Sequence, residues 1–191
     1  MQISSQDISS KVQGDFNFSV DKFPLSGPDG LSTPWYALFR SDTNEVVGNG
    51  SVTKRYVPHQ TEDVLALVDA AGEAFDGKIN CTTHFRDGHY VSIQPTDHER
   101  LKVYDDQDNV WPRILINAGY DGRAFQATMG YYRDLCRNLA ELKRVEGTTV
   151  SIRHTSGLRG HMDSLIATFN TLKESWAGLS DIIMQLQNEE V

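Results

Sequence analysis

Residues 111–157 read WPRILINAGYDGRAFQATMGYYRDLCRNLAELKRVEGTTVSIRHTSG. Residues 114–118, ILINA, are mostly apolar and strand-like. Asp121-Gly122 between apolar runs is a hairpin turn signal, with 124–130 as the paired strand. From Tyr131 to Val145, Leu135, Leu139 and Leu142 fall at helical spacing, which predicts a helix. Residues 148–154, TVSIRH in essence, are strand-like again. Strands, a helix and a further strand in one run predict an α+β fold, with a mainly antiparallel sheet packed by helices.

The flanks extend the same pattern. Residues 17–23 suggest a short strand, followed by the loop PLSGPDGLSTP. Residues 35–40 and 46–56 form a hairpin around SDTNE, with Gly48 and Gly50 as weak points or a bulge. Thr61 can cap a helix that buries Val64, Leu67, Val68, Ala71 and Phe75 and ends at Gly77. Residues 79–85 and 90–94 are strands about an RDGH turn. A long C-terminal helix begins near Leu158, with Met162, Leu165, Ile166, Phe169, Leu172 and Trp176 on one stripe, continued by Leu179, Ile182, Ile183 and Leu186. Three segments follow: a weakly ordered 1–15, an α+β core over 16–157, and a helical 158–191. A chain ending inside an amphipathic helix, at NEEV, is expected of a longer protein or of a frayed terminus.

Charge separates the segments further. Residues 111–160 carry eight Lys/Arg against four Asp/Glu, whereas the whole chain is −8. Basic side chains interleaved with aromatics suit phosphates and stacked bases. No window approaches 18 consecutive apolar residues, so no transmembrane helix is expected. MQISSQDISSK lacks the basic and apolar parts of a secretory signal. Cys81 and Cys136 are far apart, which fits reduced thiols in a cytoplasmic setting.

Catalytic motifs do not stand out. The six histidines lack metal-ligand spacing and are expected at the surface or in packing. Asp105, Asp106 and Asp108 lack the Gly and distal Glu of a calcium loop. Cys136 next to Arg137 is expected to be a small core residue. No nucleophile elbow, P-loop or dinucleotide fingerprint is present. The expectation is therefore no enzyme, no cofactor and no metal. Binding chemistry remains. Arg133 and Arg137 are i, i+4 on the expected helix, with Lys143 and Arg144 beyond and Tyr131 and Tyr132 at its start. Arg113, Arg123 and Arg153 lie on or beside strands, and Lys54, Arg55 and Tyr56 end a hairpin. Folded into one groove, these residues could hold a backbone by charge and bases by stacking. The plainer alternative is a solvated helix face paired with Asp134 and Glu141.

Three segments resemble the phage and plasmid proteins of domain-of-unknown-function family 932. Residues 37–69 carry a V-G hairpin followed by Arg55, Tyr56, Pro58, Gln60 and Glu62, with Thr61 where the family has Asn. RDLCRNLAEL is similar to a family helix, departing from it at Leu139-Ala140. VSIRHTSGLRGHM is similar to the family's I-R-H-T segment. The resemblance implies a mobile-element protein acting inside a bacterial host. A weaker resemblance, at the level of element order, is to RecT/Redβ/Rad-type single-strand annealing proteins. It implies a ring or filament holding single-stranded DNA in a basic groove.

The leading expectation is a phage-encoded single-stranded DNA-binding protein, extending to single-strand annealing in recombination. Its partners would be single-stranded DNA and further copies of itself, with no membrane. Arg133, Arg137, Lys143, Arg144 and Arg153 would meet phosphates, and Tyr56, Tyr131 and Tyr132 would stack. The alternative is a phage protein that binds and inhibits a host protein, which an acidic surface suits.

Overall fold

The computed structural model describes residues 17–48, 51–85, 88–96, 101–102, 109–134 and 142–188. Antiparallel strands dominate it. β1 (Val20–Ser26) turns through a 3-10 turn at Pro28–Gly30 into β2 (Ser32–Arg40), and β2 pairs with the two-residue β3 (Val52–Thr53). Helix α1 (Thr61–Ala74) leads to β4 (Ile79–Phe85) and β5 (Gly88–Pro95). Then follow β6 (Leu101–Lys102), β7 (Asn109–Gly119), β8 (Phe125–Asp134), β9 (Leu142–Ile152) and helix α2 (Leu158–Asn188). The first three strands form one sheet. The other six form a second, in the order β4-β5-β7-β8-β9 with β6 against β7.

Period-2 burial explains the second sheet. Val91, Ile116 and Ala127 lie opposite one another across β5, β7 and β8, and Ile93, Ile114 and Met129 make the next row. All six are buried. Residues between them, such as Asn117 and Gln126, are exposed. The buried rows share one core with α1 (Val64, Leu67, Val68, Ala71) and α2 (Leu158, Met162, Leu165, Phe169, Trp176). That is α+β, with a mainly antiparallel sheet and a long C-terminal helix. The stripe of α2 does not continue unchanged past Gly178, because Ile182 is 55% exposed.

Four local expectations are corrected. The helix expected over 131–145 is absent from the described part of that stretch. Residues 131–134 extend β8, and 142–145 open β9, with Arg133 opposite Lys143 and Tyr132 opposite Arg144. Aromatic side chains favour pleated pairing, and here cross-strand pairing outweighs the leucine spacing. Leu135, Cys136, Arg137 and Leu139 lie outside the described residues. The return strand expected over 46–56 shrinks to a Phe39–Val46 bridge and β3. Gly48 breaks it at φ +82, and a Cβ there would collide with the Tyr120 carbonyl. Gly50 lies outside the described residues. Residues 24–34, expected as loop, instead close the β1–β2 hairpin.

The fourth correction concerns the cap of α1, which is Gln60 rather than Thr61. The Gln60 N–H donates to Asp63 Oδ2 at 2.7 Å, while its amide exchanges two bonds with the Val20 backbone, at 2.9 and 3.0 Å. The Thr61 hydroxyl donates to the Phe18 carbonyl at 2.9 Å. The start of α1 is thus sewn to β1, and it fixes the chain that leads into the helix.

Candidate nucleic-acid interface

Three connections meet at one end of the second sheet: the chain from β3 to α1, the β7–β8 turn and the β9–α2 junction. Tyr120 anchors them. It is fully buried, stacks on His59 at 4.2 Å between ring centroids, and donates its hydroxyl to the His59 carbonyl at 3.2 Å. His59 Nε2 lies 3.1 Å from His89 Nδ1. The Val57 N–H donates to the His154 carbonyl at 2.9 Å, and His154 Nδ1 lies 3.1 Å from the Val57 carbonyl. Tyr56 stacks on His154 at 4.6 Å with the rings 19° apart.

Burial sets the electrostatics of this cluster. It pushes the His59 pKa well below its ordinary value, helped by the neighbouring imidazoles. It lowers His89 to about 4, with the Arg40 guanidinium adding repulsion. His154 is lowered by burial too, against the opposing pull of the Val57 carbonyl and Asp121. The same burial raises the phenols of Tyr56 and Tyr120. Each group is held in its neutral form. The histidines make no group placed to hold a metal ion among the described residues.

Above this neutral floor stand three exposed arginines. Arg55 follows β3, Arg123 follows the Asp121-Gly122 turn, and Arg153 follows β9. All three line one cavity of about 310 Å³ whose walls include Tyr56 and His154. Asp121 holds Arg123, with Nε and Oδ2 3.1 Å apart. No carboxylate among the described residues pairs with Arg55 or Arg153. Guanidinium groups converging from separate elements make a concave anion site, since each offers a planar fork of donors.

The twelve residues expected to form one groove do not all gather there. Arg55, Tyr56, Arg123 and Arg153 do. Arg113 sits seven residues before Tyr120 along the strand direction, about 23 Å at 3.3 Å per residue. There its guanidinium lies 3.3 Å from the Gln94 amide oxygen and near Trp111. Arg133, Lys143 and Arg144 pair at that same far end. Lys54 is exposed, and its carbonyl, with that of Tyr56, accepts from Lys22 Nζ at 2.7 Å. Arg137 lies outside the described residues. The basic stretch therefore forms two clusters at opposite ends of the sheet. The stacking surfaces expected of Tyr56, Tyr131 and Tyr132 are corrected as well. They are only 7, 4 and 4% exposed, with Tyr56 against His154 and Tyr131 against Trp176 of α2, since burying an aromatic ring is worth more than leaving it in water.

Sequence spacing could not have found the histidines, which lie 30 and 65 residues apart along the chain. The two resembling segments, around Arg55-Tyr56 and Arg153-His154, are the ones that meet here, and that is the signal that was available. Comparison with known proteins agrees with those segments. A family model described as "Domain of unknown function (DUF932)" matches residues 49–191. Neither a curated protein nor a solved structure matches.

Proposed function

We propose that this chain, which belongs to the DUF932 family, binds single-stranded DNA through the arginine cavity. The carrying observation is the convergence of Arg55, Arg123 and Arg153 on one cavity in a molecule whose net charge is −8. A net-acidic molecule disfavours DNA over most of its surface, and of its two basic clusters this is the one whose guanidiniums line a cavity. The buried tyrosine and histidine leave the floor neutral and add no negative charge. A homo-oligomer would place several such cavities along one strand, extending the site to annealing of a second strand.

The test is fluorescence anisotropy with a labelled oligonucleotide across a salt series. For single strands each neutralised phosphate contributes a slope of about −0.7 in log K against log salt. Three arginine contacts therefore predict about −2, a loss of roughly a hundredfold per tenfold rise in salt. Arg55→Glu with Arg153→Glu should abolish most of both affinity and slope. Binding by that variant as tight as wild type, at low salt, overturns the assignment.

One observation favours the second reading, a phage protein that binds a host protein. The β1–β2 hairpin exposes Phe23, Leu25, Leu31 and Trp35, between 38 and 67% each. Grouped exposed apolar side chains mark contact surfaces. Under this reading Trp35→Asp removes function and the arginine pair does not.

A further inference from the structure

The arginine cavity is not closed. Arg153 and Thr155 also line a groove of about 460 Å³ between β9 and the start of α2. Its wall on that side is four consecutive residues, Val150 to Ile152 of β9 and Arg153 just beyond it. Successive side chains on a strand point to opposite faces. A groove touched by four in a row therefore runs along the edge of the strand, not over a face. β9 is the last strand of its sheet among the described residues. Its outer edge offers a row of backbone N–H and C=O groups that no described strand pairs. The helix wall carries His161, Ser164 and Thr168 with Leu165 between them. The Thr168 hydroxyl donates to the Leu165 carbonyl at 2.6 Å, which leaves its lone pairs as acceptors.

We propose that this groove is a second subsite, taking the nucleotides next to the phosphate that the arginines hold. The inference rests on the single-stranded DNA reading. Among the described residues that line the groove there is no acidic residue and one arginine, Arg153, at the end shared with the cavity. Such a lining suits bases and sugars better than a second tightly held phosphate. Base edges carry donors and acceptors in a row, as the strand edge does, and the half-buried Val150 gives apolar contact to ring faces. A duplex hides those base edges in pairing, so the groove selects single strands. An extended peptide could also add to the edge. Continuity with the arginines favours the nucleotide.

A length series tests this. The affinity ratio between a thymidine hexanucleotide and a dinucleotide is measured for wild type and for Ser164→Phe, whose ring would fill the groove from an exposed position. Wild type should gain at least tenfold with length, and the variant should lose most of that gain. A melting curve checks that Ser164→Phe is folded. Independently, hexanucleotides carrying iodouracil should crosslink to residues within 150–153 or 161–168. An unchanged ratio in the folded variant, or crosslinks only elsewhere, overturns the groove. If Arg55→Glu with Arg153→Glu still binds as wild type, the DNA reading itself falls. Capture of an extended peptide along β9, without oligonucleotide binding, also overturns the proposal.

Discussion

Tyr56 shows how one residue changes a site. Strand alternation from an exposed Lys54 would place Tyr56 in solvent. The strand ends at Thr53, however, and the Tyr56 N–H turns back to the Thr53 carbonyl at 3.1 Å. Alternation stops applying where pairing stops, and the ring folds under onto His154. Its hydroxyl is buried without a hydrogen-bond partner among the described residues, a condition that costs on the order of 1–3 kcal/mol. Two substitutions then separate ring from hydroxyl. Tyr56→Ala should lose about 3–5 kcal/mol, as large-to-small changes of buried aromatics do. Tyr56→Phe should be at least as stable as wild type. Urea midpoints decide between them, and a Tyr56→Phe loss as large as that of Tyr56→Ala would show the hydroxyl to be engaged.

At the scale of elements, the sequence pattern was legible wherever one face is buried and the period is clean. Helix α1, strands β4, β5 and β7, and helix α2 all have that property. β8 and β9 lose it at Tyr131 and Tyr132, which are adjacent and both buried. The cause is a register slip. Tyr131 lies opposite Glu146 and Tyr132 opposite Arg144, so Val145 is an extra residue on β9. A bulge of this kind hides strand periodicity and lets a leucine spacing mimic a helix. The candidate site was half legible. Its arginines show in the charge pattern, but their sorting to opposite ends of the sheet depends on pairing over long separations. Glycines test the local account. At Gly48, with φ +82 and the Tyr120 carbonyl where a Cβ would sit, alanine should cost well over about 1 kcal/mol. At Gly178, inside α2 with nothing within 4 Å of the added carbon, alanine should gain about 0.5–1 kcal/mol. Thermal melts should move in opposite directions; a Gly48→Ala protein that melts like wild type would contradict the packing at Tyr120.

The whole molecule is tied together by its neutral centre. His59 comes from the chain before α1, His89 from β5 and His154 from the β9–α2 junction, so one buried cluster links the two sheets and both helices. Arg40 faces it from β2 with its guanidinium 4.1 Å from the Phe18 ring, and Asp121 approaches from the β7–β8 turn. All three imidazoles have folded pKa values below the ordinary 6.5, with His89 near 4. The unfolded chain therefore binds more protons than the folded one between those values. Stability is complete above pH 6.5 and is lost as pH falls through the window down to about 4. The slope approaches about 1.4 kcal/mol per pH unit for each histidine still neutral in the fold. Urea unfolding at pH 7.5, 6 and 5 should show this decline before most carboxylates titrate. His89→Asn should flatten it by one histidine's share while lowering stability at pH 7.5. A wild-type stability that does not change between pH 7 and 5 would mean that the cluster can take up protons without opening. In the proposed reading the same decline carries over to binding, because Tyr56 and His154, which line the arginine cavity, keep their stack only while the cluster stays neutral.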